Sequence, residues 1–470
     1  MCSKKGVWLG VLMLHLHALS AIFAGETEDT VQNMPKRSPL LNGVITAAEV
    51  VAFDTMLYLI DHYVLGFWWA EQTFDSVRKN LTESWVWERN DGFMVNQFGH
   101  PYQGSYFFTA ARSNGFNFYH SLFFTAFGSA AWEVFYEIQS ASINDTITTS
   151  ISSASVGEML HRLYVELYSQ GAPPLAASFV SPMDGLNHLL GNVPVKEINT
   201  YEFSVSSSAG FVSADTAGDI PEAKKFSYRS WIGDLWLNMV YGNPFEQESK
   251  VPYKQFDAIF GLGFDHRGYS NMRLVSDGSL VSFPLKYTPY TQASTGLTLH
   301  CDIFSNGEAM WYMGHIDCFS NALDWTLKYR HVFSGGVELQ LKLHSGWTFW
   351  GVSEFYNGTN AGGHRSEYMF YGTGTNAKFF LGMEHAKFGR VTLDLMQYLL
   401  FPYSAIIPRS AGTLFWLFAN VSYSYPLTKN AYLGIVESFE MEQGNFKRVP
   451  DVFKWTGKTG IFFEYKWGVR

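Results

Sequence analysis

The segment "GVELQLKLHSG", Gly336 to Gly346, decides the fold. Val337, Leu339, Leu341 and Leu343 alternate with Glu338, Gln340, Lys342 and His344, the period of a strand with one apolar and one polar face. The same alternation runs through "TGLTLHCDIF", where Leu297, Leu299, Cys301 and Ile303 alternate with Thr298, His300 and Asp302, and through "DWTLKYRHVF" and "RVTLDLMQYLL". From about Tyr201 onward, roughly twelve to fourteen such segments are separated by turn-rich pieces such as "SNGE", "SDGS", "FSGG" and "EQGN".

A soluble β-sandwich or propeller and a membrane barrel both accommodate so many consecutive antiparallel strands. No fixed repeat is visible, which disfavours a propeller. Aromatics make up 17% of the chain and charged residues 16%, against about 25% charged in an average soluble domain. Strands such as "GTLFWLFANVSYSY" and "KTGIFFEYKWGV" carry Phe, Trp and Tyr near their ends, where a bilayer's interfacial girdles lie. With no long apolar helix expected beyond the leader, the pattern predicts an α+β protein. Its antiparallel transmembrane β-barrel of about 12 strands, within a range of roughly 10 to 14, covers 201–470. Glu338, Lys342, His344, Asp394 and Glu464 should face its interior, and Leu339 and Leu341 should face lipid near the midplane. The last strand places Ile461, Phe463, Tyr465, Trp467 and Val469 on one face and ends at Arg470, where the usual barrel-assembly signal has an aromatic.

The N-terminus has Lys4 and Lys5, an apolar run to about Phe23 and a cleavage point after Ala24, the layout of a secretory signal peptide over residues 1–24. Residues 25–40 follow as a flexible segment. Loss of the two lysines takes the net charge from −9 to about −11, which excludes a nucleic-acid partner on electrostatic grounds. The expected location is the outer membrane of a bacterium with two membranes. The expected partners are outer-membrane lipids, the barrel-assembly machinery and a small-molecule or lipid ligand. Cys301 and Cys318 lack any zinc-binding spacing, so two free apolar thiols, no metal and no cofactor are expected. A tight "SNGE" hairpin would set Cys301 near Tyr312.

Residues 41–174 read as a helical domain and 175–200, rich in Pro and Gly, as a linker. Val44, Ala48, Val51, Thr55 and Leu59 recur at helical spacing, and Phe118 to Gln139 forms a second helix. The run from Phe118 to Trp132 is too short and too close to Glu133 and Glu137 to span a bilayer, so it is expected inside a compact unit. "SSASVGEMLHRLYVELYSQG" opens on a capping box from Ser155 to Glu158 and closes at Gly171, Pro173 and Pro174.

Three pieces, "NQFGHPYQGSYFFTAARSNG", "SAAWEVFYE" and "SINDTITTSISSASVGEMLHRL", make the helical half resemble the bacterial envelope family catalogued as domain of unknown function 3943. They cover roughly Asn96 to Leu163. The resemblance implies an exported envelope protein and brings no established activity. Where that family tends to show Pro and Gly after the Asp motif, this chain has Ser150 and Ser153.

Several polar residues in this half are candidates for chemistry. His100 precedes Pro101, which biases it away from helix and onto a stiff turn, where an imidazole can serve as acid, base or metal ligand, or can donate to a backbone carbonyl and fix the corner. Glu133 and Glu137, four residues apart, can face one partner, to bind a divalent metal or to split acid and base roles, or can pair with Arg112 and Arg162, which can also bind an anion. Asn96, Asp145 and Glu158 are expected in a structural polar network, Asp145 as a helix cap and Glu158 in a pair with Arg162. Asp54, Tyr58, Asp61 and His62 are expected on a solvated helix face. No serine-hydrolase elbow, phosphate loop or dinucleotide fingerprint is present. The sequence therefore favours a barrel with a role in envelope structure, transport or gating. The alternatives are an envelope enzyme acting on lipid or cell-wall substrates, with His100 and Glu133 as acid and base, and a surface adhesin using loops such as Phe355 to Arg365.

Overall fold

The computed structural model describes residues 37–87, 92–218, 226–246, 248–265, 270–306, 316–359, 365–403, 412–447 and 451–468. The leader and nearly all of the 25–40 segment lie outside the described residues. The chain divides into two compact units, Met1–Ile198 and Asn199–Arg470.

Among the described residues the first unit holds seven α-helices: α1 Pro39–Leu59, α2 Phe74–Thr82, α3 His100–Ser113, α4 Phe118–Phe135, α5 Ile143–Ser169, α6 Pro174–Ala177 and α7 Pro182–Leu189. α3, α4 and α5 form its core, with Phe107, Phe108, Ala110, Ala111, Ala131, Ala154 and Val165 buried. Gly104 lets α3 and α5 approach closely, since a Cβ there would sit 2.7 Å from the carbonyl oxygen of Thr149.

Several sequence expectations change here. α5 begins twelve residues before Ser155: Ser142 caps it by accepting the backbone N–H of Asp145 at 3.2 Å, so neither Ser155 nor Asp145 is the cap. His100 stands at the start of α3 with helical angles, continuing from a π turn over Val95–Gly99, because Pro101 falls in the first turn, where a helix tolerates proline. The stretch read as a linker contains α6 and α7 and is tied into the helical unit. Asp54 and Asp61 are buried rather than solvated. α1 with the π turn that follows, Pro39–Leu65, is also long and apolar enough to cross a membrane by length and composition, contrary to the expectation of no such helix. Buried Thr46, Val50 and Asp54 and the stacking of Phe53 on Tyr106 join α1 to α3, so it is read as part of the helical unit.

The second unit is one closed barrel of twelve antiparallel strands, each paired with its sequence neighbours and β1 with β12. They are β1 Thr200–Gly218, β2 Phe226–Tyr241, β3 Phe256–Phe264, β4 Ser270–Tyr287, β5 Thr291–Asn306, β6 Asp317–Val332, β7 Val337–Thr359, β8 Arg365–His385, β9 Gly389–Pro402, β10 Gly412–Pro426, β11 Ala431–Phe446 and β12 Val452–Gly468. The connections 288–290, 333–336, 386–388 and 427–430 are short and lie at one end, together with the start of β1 and the end of β12. "FSGG" is one of these turns.

"SDGS" and "EQGN" instead lie inside β4 and β11. In β4 the reason is visible: Asp277 is held by Lys378, and the bare Cα of Gly278 leaves room for the buried ring of Tyr253. Cys301 is opposite Asn321 and Cys318 opposite Phe304, because β5 runs on to Asn306 and β6 starts at Asp317. Both thiols are free and buried. Alternation puts them on opposite faces of the wall.

Candidate functional site

In the helical unit, Arg112 of α3 and Glu158 of α5 make a bidentate pair, Nε to Oε2 at 2.7 Å and Nη2 to Oε1 at 3.2 Å. Arg162, one turn along α5, brings its Nε to within 2.9 Å of Oε1 of the same carboxylate. All three side chains are at most 2% exposed. Arg112 also donates to the carbonyl of Phe116 at 2.7 Å, holding the turn into α4.

The remaining sequence candidates have partners of their own or lie buried elsewhere in the unit. Glu133 accepts the backbone N–H of Ser142 at 2.6 Å. Glu137 accepts the indole N–H of Trp132 at 2.6 Å. Asp145 accepts from Asn144 at 2.7 Å, Asn96 is fully buried, and His100 is 7% exposed at the start of α3. Neither of the two cavities described below and beside α1 is lined by His100, Glu133, Glu137, Arg112 or Arg162.

A second network escaped sequence reading. His161 Nδ1 lies 2.7 Å from Asp184 Oδ1, and Ser181 donates to Asp184 Oδ2 at 2.5 Å. Asn114 and Asn187 both donate to Glu49 Oε2, at 2.8 and 3.1 Å. The only signal was a run of Asp, Asn and His inside the presumed linker, and Pro and Gly there masked it.

Asp54 is fully buried and accepts one hydrogen bond, from Gln103 at 3.3 Å. Burial pushes its carboxyl up to about 8, partly offset by that bond. A folded value above the unfolded one favours the protonated form, so stability is full below pH 4 and falls as pH rises towards 8. Asp54→Asn should therefore stabilise the helical unit at pH 7 by about 4 kcal/mol, at ~1.4 kcal/mol per unit, and by almost nothing at pH 4. Melting of the helical circular dichroism of the full chain in detergent at the two pH values checks this.

The barrel interior is polar and crossed by charge pairs. Lys342 of β7 and Lys328 of β6 both reach Asp257 of β3, at 2.6 and 3.2 Å. Partners so many strands apart can meet only through the lumen, which fixes the inward face. The register then carries that face around the wall, and it includes Glu338, Lys342, His344, Asp394 and Glu464. Lys378 of β8 reaches Asp302 of β5 at 2.7 Å, and Tyr398 of β9 donates to the same carboxylate at 2.6 Å. Arg273 of β4 lies 3.8 Å from the ring centre of Phe418 and 3.7 Å from Asp394. Beside Arg273 a lumenal cavity of about 210 Å³ is lined by Arg390, Lys458, Asp394, Glu440 and Glu464 among others. Phe304, Tyr398, Trp416 and Phe418 form an aromatic cluster next to it.

The outer face is apolar. Ile461 and Ile435 face each other and are 60% and 59% exposed, and Val391, Leu235 and Val421 are also exposed.

These features define a closed twelve-stranded antiparallel barrel with an ion-paired interior and an apolar exterior, preceded by a helical unit. The family model described as Domain of unknown function (DUF3943) matches residues 84–183, which fall within the helical unit. Similar solved structures cover a little over half of the chain. One is an outer membrane channel from Pseudomonas putida F1, at 10% identity over 58% of this chain and 97% of that chain, TM-score 0.28. Another is the P. putida toluene transporter TodX, at 9% identity over 57% and 90%, TM-score 0.24. A third is the NanC porin, at 8% identity over 55% and 98%, TM-score 0.23. No curated protein matches the chain.

Proposed function

We propose that this protein is an outer-membrane barrel whose lumen is a gated path for small polar solutes, closed by side-chain bridges rather than open as a wide pore. The observation that carries the reading is the inversion of the barrel: the isoleucine pair Ile435 and Ile461 stands exposed outside, while lysines and aspartates are buried inside. Water would favour the opposite arrangement, and hydrocarbon favours this one. Along β12, Tyr465 and Trp455 stand ten residues apart on the outer face, about 34 Å of strand. At a tilt of ~45° this is about 24 Å of height, close to a typical apolar band of ~25 Å. Lipids and the barrel-assembly machinery are then the partners of the outer face. The short connections lie at the end where β1 begins and β12 ends, and in barrels of this class the short turns face the periplasm.

The gate is the layer of Arg273, Phe304, Phe418 and Asp394. In planar bilayers the wild-type chain should show small, infrequent conductance, and Arg273→Ala with Phe418→Ala should raise it severalfold. Equal conductance in both would overturn the gate. A mature chain that stays in solution without detergent would overturn the membrane assignment.

A further inference from the structure

The inner wall of β4 to β8 gathers a second group of side chains. Antiparallel register sets Asp277 opposite His300, Thr326 opposite His344, and His344 opposite Lys378. Asp277, His300 and His344 each bring one potential ligand atom to within 4.8 Å of the others. His300 is fully buried, and His344 and Asp277 are 4% and 9% exposed.

Two further observations point to a cation. The first is that one is already held at this spot: the Lys378 ammonium lies 2.7 Å from His300 Nδ1 and 2.8 Å from oxygens of both Asp277 and Asp302. Three donor atoms thus converge on a single positive centre. The second is that His300 Nε2 and Asp324 Oδ2, both on fully buried side chains, face each other at 3.4 Å without a hydrogen bond. His344 has the outer partner that a metal-ligating histidine needs, and Asp324 stands in that position for His300, 3.4 Å from its Nε2. His344 Nδ1 is 2.9 Å from the Thr326 hydroxyl, which leaves its Nε2 as donor atom, and Asn376 holds Asp324 beside His300 at 2.9 Å.

The local charge is close to balanced. Asp257, Asp277, Asp302 and Asp324 face Lys328, Lys342 and Lys378. Four carboxylates against three ammonium groups leave about one negative charge, so an added divalent ion would leave about one positive charge, whereas an ion that displaces the Lys378 ammonium from the cluster leaves it neutral. We propose that Asp277, His300 and His344 form a site for a divalent transition-metal ion of the zinc class, entered by exchange with the Lys378 ammonium. Two imidazoles and a carboxylate suit zinc, copper(II) or nickel and are poor ligands for calcium or magnesium. Exchange frees Lys378 from Asp302 and so removes one bridge across the lumen.

The test uses the full mature chain in detergent, stripped with a chelator and titrated with zinc against a colorimetric competitor. One zinc per chain is expected, with no stoichiometric binding of magnesium. His344→Gln, which can keep the bond to Thr326, should weaken zinc at least tenfold, as should His300→Ala. Lys378→Met should tighten it about tenfold, because no ammonium competes. Heat-modifiable gel mobility confirms in each variant that the barrel has formed. Unchanged binding in the double histidine variant, or none in either wild type or Lys378→Met, would overturn the site. Binding by Lys378→Met with none by the wild type would overturn the exchange.

Discussion

Glu158→Ala should be the most damaging single change in the helical unit, costing about 3 to 5 kcal/mol. The carboxylate is shared by two guanidinium groups, and all three side chains are essentially sealed from water. Removing it takes away the carboxylate that both buried guanidinium groups share, and neither arginine can reach solvent without opening the packing of α3 against α5. Glu158→Gln keeps the shape and part of the hydrogen bonding but not the charge, so it should fall between wild type and alanine. Joint replacement of Arg112, Glu158 and Arg162 by leucine should recover much of the loss, because apolar groups carry no desolvation penalty. The helical signal of the full chain in detergent, followed through a thermal melt, reads all three. A Glu158→Ala variant that melts with the wild type would mean that the cluster is hydrated.

Ile461→Arg should cost about 2 to 4 kcal/mol when the barrel inserts into bilayers. Ile461 lies midway along the outer face of β12, opposite Ile435 on β11 and Ala209 on β1, and is 60% exposed. On a surface facing water such a change is nearly neutral, within about 0.5 kcal/mol. The size of the effect therefore reports what covers this face. Urea-dependent folding into vesicles, scored by heat-modifiable mobility, separates the two cases. Leu341, which the sequence pattern set near the midplane, is the fifth residue of β7 and stands close to the short-turn end, so Leu341→Arg should cost less.

The barrel was legible because alternation is local. One face of each strand meets an apolar surrounding and the other a polar interior, and "GVELQLKLHSG" shows this without reference to any other part of the chain. The same property allowed Glu338, Lys342, His344, Asp394 and Glu464 to be assigned to the interior. Turn signals were less dependable. "SDGS" is a turn by composition, yet β4 runs through it, because Asp277 finds Lys378 across the lumen and Gly278 makes room for Tyr253. Those partners are a hundred residues and a few tens of residues away, and local propensity does not contain them.

The helical half was less readable for the same reason. Its pieces resembled a known domain, and Arg112, Glu158 and Arg162 were singled out, but only Glu158 and Arg162 are close enough along the chain to pair by helical spacing. That Arg112 joins them, that Glu133 is taken by the backbone at Ser142, and that Asp184 comes to His161 were decided by how the helices pack. By itself the sequence determined strand period, the face each strand residue takes and the presence of two dissimilar halves, since all three depend on neighbours a few positions apart. Tertiary structure alone decided which number within the expected 10 to 14 strands closes the barrel, the bridges across the lumen and the meeting of Asp277, His300 and His344, because those rest on register and curvature summed around a whole wall.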